Sequence, residues 1–504
     1  MMGDAPKFAR RTLLGGALVA GTAVAGARAP DWGRSAYAAT TGTGMAPSGA
    51  AGLGPRGRLL PPDSLPHPRL AAGTDTIPEI DHVVVLMMEN HSFDDHFGML
   101  GRGDGLTRGP DGRPVNFNPG PDNDYIESYP LPNTFGPLNS DISQSWDKSH
   151  LCWADGTNQG FAQNCGPASM GYFTHRQLPF YYSLASQFPI GDRYFCSVMA
   201  QTYPNRRFLI AGTALGDVST DGSGVSSTDA PNGTIFDRFD TYGITWKDYY
   251  PDIPTAALFL PNYTENLTNG KMAPINQFLT DAAAGQLPQF SLVDPYIDYS
   301  EESGDVSIGE AYAARIVGAV LDSPNWSKTA MILVWDEHGG WYDHVPPQPA
   351  VRPDDIPPEI TVPPNQPGAY DYTGFRVPCV VISPYAKQNF VSHSVYDHTS
   401  ILKFVETKWN LPAMTFRDAN AQNMLDFLDV RARKPPFAEA PKIKAPLNPF
   451  IGPLPATSGS PGFHPIATGV QASTLPPARF RLKVPPKDAA ELLAKHNATF
   501  QVQT

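Results

Sequence analysis

The chain has 504 residues, room for one large domain with insertions or for two to three ordinary ones, and enough to bury a core. A formal charge of -12 excludes the basic face a nucleic-acid binder presents, so no nucleic-acid partner is expected. With 41% hydrophobic and 11% aromatic residues the chain is not disordered throughout, and its 53 prolines therefore signal long irregular loops over a core.

Residues 1–38 read as a leader. Paired arginines, Arg10 and Arg11, precede a small-residue apolar stretch, Leu13 to Ala25, that is shorter than the roughly 20 residues a bilayer core needs. The pattern resembles a twin-arginine export signal, which implies the export machinery as a partner and a secreted or cell-wall-associated mature protein. Ala27-Arg28-Ala29 and Ala36-Tyr37-Ala38 both offer a small-x-small cut site. Residues 39–76, rich in Gly, Ala and Pro, read as a tether.

From Ile77 the texture changes. Val83 to Met88, Met331 to Val334 and Val377 to Ile382 are continuous apolar runs, the signature of strands covered on both faces. Ile308 to Leu321 carries an apolar stripe at helical spacing and stops at Ser323-Pro324 before the second run. Thr399 to Trp409 reads as a helix, and Val345 to Pro367, with its repeated prolines, as a long loop of the kind that lids use. Residues 434–504 form a proline-rich extension ending in a short helix, Lys487 to His496. Cys152 and Cys165, close together in a polar loop, are candidates for a bridge in an oxidising compartment; Cys196 and Cys379 sit in apolar contexts and read as buried thiols.

Chemistry concentrates where two of the apolar runs end. Glu89-Asn90-His91-Ser92-Phe93-Asp94 follows the first, and Trp335-Asp336-Glu337-His338-Gly339-Gly340 follows the second. Ligands bind outside the carboxyl ends of strands in open α/β sheets. Two pairs of oxygen donors at two such ends can converge on one hard divalent cation, with calcium or manganese favoured over zinc. A third segment, Gln201 to Arg207, offers the Thr202 hydroxyl beside Arg206 and Arg207; a threonine is a poor nucleophile until a metal or base activates it. His82 and His91 flank the first cluster as loop-bonding residues, while His398 stands at a helix start with Asp397 beside it.

Glu89 to Asp94, Gln201 to Arg206 and Asp336 to Val345 together resemble three signature blocks of the bacterial phosphoesterase family, which contains phosphatidylcholine-type phospholipases C and a group of acid phosphatases. The resemblance runs from about Ile80 to about Trp409 within an expected catalytic domain over 77–433. It implies an alkaline-phosphatase-like α/β/α sandwich with a mostly parallel central sheet. It makes Glu89, Asn90, Asp336 and Glu337 metal ligands and Thr202 a metal-contacting nucleophile. His150, His344 and His338 become catalytic candidates, with Arg206, Trp146 and Trp341 expected to touch substrate. The implied reaction is cleavage of a glycerophospholipid at a membrane surface, to diacylglycerol and a phosphorylated head group. An acid phosphatase on the same scaffold and a degenerate surface-binding protein are the alternatives. Two departures stand out: Gln144 occupies a position where relatives usually have a histidine, and Tyr299 to Gly304 replaces a Glu-His-Pro segment.

Overall fold

Each apolar run becomes a strand, and the sheet they build is described here from a computed structural model. It describes residues 58–136, 142–220, 230–258, 263–296, 304–360, 365–457 and 476–501. The expected leader and Tyr299 to Ser303 lie outside the described residues.

Eight strands make the main sheet: β1 (His82–Met88), β2 (Ile190–Gly191), β3 (Trp246–Tyr250), β4 (Met272–Pro274), β5 (Phe290–Val293), β6 (Thr329–Trp335), β7 (Cys379–Ile382) and β8 (Val391–Ser392). Their order across the sheet is β8-β2-β7-β6-β1-β5-β3-β4. Only β7 runs against its neighbours; the other pairs are parallel. β6 is buried along its whole length and β1 from Val83 on, which is why both read as unbroken apolar runs rather than alternating ones.

The helices that matter below are α1 (Trp146–Trp153), α2 (Pro179–Gln187), α3 (Thr202–Ala211), α4 (Val306–Leu321), α5 (His398–Trp409) and α6 (Lys487–Gln501). α3 packs on α5, and α4 on α2, so helices cover the sheet in two groups and the fold is an α/β/α sandwich. No helix among the described residues is long and apolar enough to cross a membrane.

Described residues on both sides of the expected boundaries at 76 and 433 belong to one compact unit. Leu60 and His67 donate backbone hydrogens to the side chains of Asn420 and Asn410, at 2.8 and 2.9 Å. Beyond 433, Phe437, Leu454 and Phe480 are buried, and Arg481–Leu482 pairs with Tyr125–Glu127 as an added strand. Composition alone hid this packing, since proline-rich backbone can be laid over a core without forming regular elements. All four cysteines are buried thiols, and the sulfurs of Cys152 and Cys165 approach to 2.9 Å.

Candidate active site

β1 and β6 are neighbours in parallel register, with Met88 opposite Trp335, so Glu89 and Asp336 leave the sheet side by side. The Asp336 N–H donates to the Met88 carbonyl at 3.0 Å, and one carboxylate oxygen of Asp336 accepts from the N–H groups of Asn90 (2.9 Å) and Glu337 (2.7 Å). Asn90 holds this turn at a φ of +61°, a left-handed conformation asparagine tolerates better than most residues. Gly339 and Gly340, at φ +64° and +81°, bring the second loop tightly under the first. A β-carbon at Gly339 would stand 2.1 Å from the Asn90 carbonyl oxygen, and one at Gly340 would stand 2.7 Å from the Ser143 nitrogen. Gln144 therefore belongs to a segment packed directly against the Asp336 loop.

Thr202 is the first residue of α3, following Gln201 in extended backbone. Its Oγ1 donates toward Glu89 Oε2 at 3.2 Å and lies 3.3 Å from Asn90 Oδ1. Three oxygens of carboxylate, amide and hydroxyl type thus meet at the positive end of a ten-residue helix, which favours negative charge on the hydroxyl or on a bound anion.

One helical turn further, Arg206 presents its guanidinium to three strand ends at once. It pairs with Glu89 at 2.5 Å (β1), Asp294 at 3.0 Å (β5) and Asp336 at 3.3 Å (β6). Against the burial that would lower it, those carboxylates hold the Arg206 pKa above its ordinary value. Glu89, Asp294, Asp336 and Glu337 are four buried carboxylates, and Arg206 offsets one of their charges. Glu89, Asn90 and Thr202 thus bring together oxygens of the kind a hard divalent cation takes, while the Asp336 carboxylate faces the Asn90 and Glu337 N–H groups and Arg206, and one Glu337 oxygen accepts from the Gly339 N–H.

Sequence comparison matches residues 80–412 to the phosphoesterase family. The chain belongs to that family. Phospholipase C A of Mycobacterium tuberculosis is 30% identical over 81% of this chain and 87% of its own length. Phospholipase C B of the same organism is 31% identical over 73% and 81%. Non-specific phospholipase C1 of Arabidopsis thaliana is 30% identical over 74% and 75%. Among solved structures, a protein of the alkaline phosphatase superfamily from Vibrio parahaemolyticus aligns over 71% of this chain and 72% of its own, at 9% identity and a TM-score of 0.35. This phosphoesterase is a phosphoric ester hydrolase with phospholipase C homologues.

Several expected site residues of the phosphoesterase sit elsewhere than the motif suggests. His344 does not face Thr202 with its hydrogen bonds: Nδ1 meets Asp94 at 2.7 Å and Nε2 meets Asp104 at 3.2 Å. Burial would lower its pKa, but the two carboxylates raise it to about 10, so it gives up a proton reluctantly near pH 7 and is no ready general acid. His338 is buried between the rings of Phe375 and Phe161, and burial pushes its pKa down to about 3; it lies 3.3 Å from Glu337 without hydrogen-bonding geometry. A neutral imidazole of that kind cannot serve as a general acid near pH 7. His150 donates Nδ1–H to the Trp146 carbonyl at 2.7 Å, and burial lowers its pKa and so favours the neutral imidazole, whose Nε2 lies against Gly368.

The expected substrate contacts are likewise engaged in packing. Trp341 is fully buried and stacks on His91 at 5.8 Å. Trp146, also buried, donates its indole N–H to the Gln366 carbonyl and packs on Tyr370. Arg206 is consumed by its three carboxylates, as above. Of the flanking histidines, His82 bonds the Pro288 carbonyl and Asn325, and His91 bonds Asp95 at 2.6 Å. His398 does hold the site, from behind: its Nε2 donates to the Asp336 carbonyl at 2.6 Å. Asp397 instead caps α5 and pairs with Arg417.

Two residues of the site went unnoticed in the sequence, Asp294 and Thr255. Asp294 follows β5 as Glu89 follows β1, and both its oxygens meet Thr255. A four-residue apolar run ending in an acid was the available signal. A narrow cleft opens over Glu89, Thr202, Arg206 and Asp294, with Ile253, Pro254 and Leu258 as its apolar lip.

Proposed function

We propose that this phosphoesterase is an exported, metal-dependent phospholipase C that cleaves glycerophospholipids to diacylglycerol and a phosphorylated head group. The observation that carries the reading is the meeting of Thr202 Oγ1 with Glu89 Oε2 and Asn90 Oδ1 at the start of α3. A divalent cation held by Glu89, Asn90, Asp336, Glu337 and Thr202 would supply a lowered hydroxyl pKa and a polarised phosphoryl oxygen. Glu89 Oε2 accepts the Thr202 hydroxyl hydrogen, and the N-terminus of α3 favours the anionic phosphoryl group in front of it. Attack forms the Thr202 Oγ–phosphorus bond as the bond from phosphorus to the glycerol oxygen breaks, and the hydrogen taken up by Glu89 passes to that oxygen, releasing diacylglycerol as the alcohol. Water then hydrolyses the phosphorylated threonine, its oxygen going to the phosphoryl head group and one of its hydrogens returning to Thr202 Oγ1.

Diester rather than monoester specificity is supported by the charge of the cleft. Among the described residues lining it, Arg206 is the single Lys or Arg, and three carboxylates already hold it. Arg207, the neighbouring cation, pairs with Asp217. A monoester dianion needs more free positive charge around it than a diester monoanion does. The apolar lip, with Ile253 40% exposed, suits acyl chains at a lipid surface. The export reading rests on Arg10 and Arg11 ahead of the Leu13-to-Ala25 stretch.

The deciding assay runs mature protein on phosphatidylcholine, sphingomyelin and p-nitrophenyl phosphate side by side, with and without a chelator. The expected result is chelator-sensitive hydrolysis with phosphatidylcholine preferred. Preference for p-nitrophenyl phosphate would turn the assignment to a phosphomonoesterase.

A further inference from the structure

Away from the cleft, the described structure buries a second charged cluster that the proposed reaction does not use. Asp94, Asp104, Asp192 and Asp343 are all buried, and Arg376 and Arg193 run through them. Arg376 pairs with Asp343 at 2.8 Å and Asp94 at 3.1 Å, while Arg193 pairs with Asp104 at 3.0 Å. Four carboxylates against two guanidinium groups leave two negative charges if the surrounding imidazoles are neutral. Those imidazoles are His344, His393 on Asp192 at 2.9 Å, and His496 on Asp104 at 2.6 Å.

His496 arrives from α6, 392 residues along the chain from Asp104. A ring nitrogen of His496, one of His344 and a carboxylate oxygen of Asp104 lie within 4.8 Å of one another, and the Nε2 atoms of both histidines meet the same Asp104 oxygen. His344 is held in place for them by Asp94, which meets its Nδ1 at 2.7 Å.

We propose that Asp104, His344 and His496 form a second divalent-metal site, of zinc type, that pins α6 to the catalytic core. Two imidazoles and one carboxylate are a zinc donor set, with a fourth position left for water. Zinc–ligand distances of about 2.0–2.1 Å in tetrahedral geometry separate neighbouring donors by roughly 3.3 Å. The His344–Asp104 contact already stands at 3.2 Å, and the 2.6 Å contact of His496 opens by a small shift of a partly exposed helix. Asp94 on Nδ1 of His344 supplies the carboxylate–histidine–metal relay that fixes the tautomer with Nε2 facing the metal. One dication, taking the place of protons carried by the imidazoles, also balances the two residual charges. The donors differ from the oxygen set at Thr202, so the two sites select different metals.

The test uses the full mature chain, stripped with a chelator, reloaded with zinc, desalted and measured by elemental analysis. Wild type is expected to hold one more zinc per chain than either His496→Ala or His496→Gln. The glutamine variant keeps a hydrogen-bond donor for Asp104 but offers no imidazole, so it separates metal binding from a simple hydrogen bond. The extra zinc should persist in Asp336→Asn, where the proposed catalytic donor set is broken, and that distinguishes this site from the one at Thr202. Equal zinc in wild type and both His496 variants would overturn the proposal, as would loss of the His496-dependent zinc in Asp336→Asn.

Discussion

Gly339 lies with its α-carbon against the main chain of Asn90, so close that a β-carbon would stand 2.1 Å from the Asn90 carbonyl oxygen. The two residues belong to loops almost 250 positions apart, yet this contact fixes how Asn90 Oδ1 and the Asp336–Glu337 pair face each other. Asn90 is itself in left-handed backbone, so neither partner can yield without strain.

Gly339→Ala should therefore move the Asn90 turn rather than be absorbed. Its own φ of +64° costs the alanine about 1 kcal/mol, and the clash adds to that. We expect a fall in kcat of at least about tenfold with the chain still folded, checked by steady-state kinetics beside a thermal melt.

Arg206 holds three carboxylates together, and its removal leaves buried charges without a partner. Arg206→Met should lower the stability of metal-free protein by about 3–5 kcal/mol. Arg206→Lys, which keeps the charge but not the three-way reach, should reduce kcat while leaving KM nearly unchanged, because Arg206 positions Glu89 and Asp336 rather than touching phosphate. A KM rise with kcat intact would return Arg206 to the substrate side.

The metal-ligand candidates were legible because the physics is local: a strand buried on both faces must be a continuous apolar run, and an acid directly after it must sit at the carboxyl end of the strands. Glu89 and Asp336 satisfy both conditions. Asp294 satisfies them too, but Phe290–Val293 is only four residues long and Asp294-Pro295 reads as loop, so the third strand end escaped notice. The fates of His344 and Trp341 were not legible, because their partners are remote in the chain. His344 is claimed by Asp94, Asp104 and His496, and Trp341 packs on His91. A motif records which residue types are present, whereas the direction of a side chain is decided by what the rest of the fold brings to it.

Glu310 makes stability depend on pH in a predictable direction. Buried in α4, it accepts hydrogen bonds from the Phe180 and Tyr181 N–H groups at the start of α2, at 2.8 and 3.0 Å. Burial nevertheless pushes its pKa up to about 8. The unfolded chain ionises this carboxyl first, near its ordinary value of 4.5, so its contribution is intact below that pH and is lost as pH rises toward 8, at up to about 1.4 kcal/mol per pH unit. Glu310→Gln keeps an oxygen for the two N–H groups and cannot ionise. Urea midpoints at pH 5 and pH 9 should show it gaining on wild type at the higher pH.

Thr202 is the attacking group in the proposed reaction, and Thr202→Val tests that role most directly by removing only the hydroxyl. Phosphatidylcholine hydrolysis by purified Thr202→Val should fall by about 10³-fold or more, with Thr202→Ser keeping part of the rate. If Thr202→Val instead turns over within about threefold of wild type, a difference of under roughly 1 kcal/mol, Thr202 is a turn residue and water is the nucleophile.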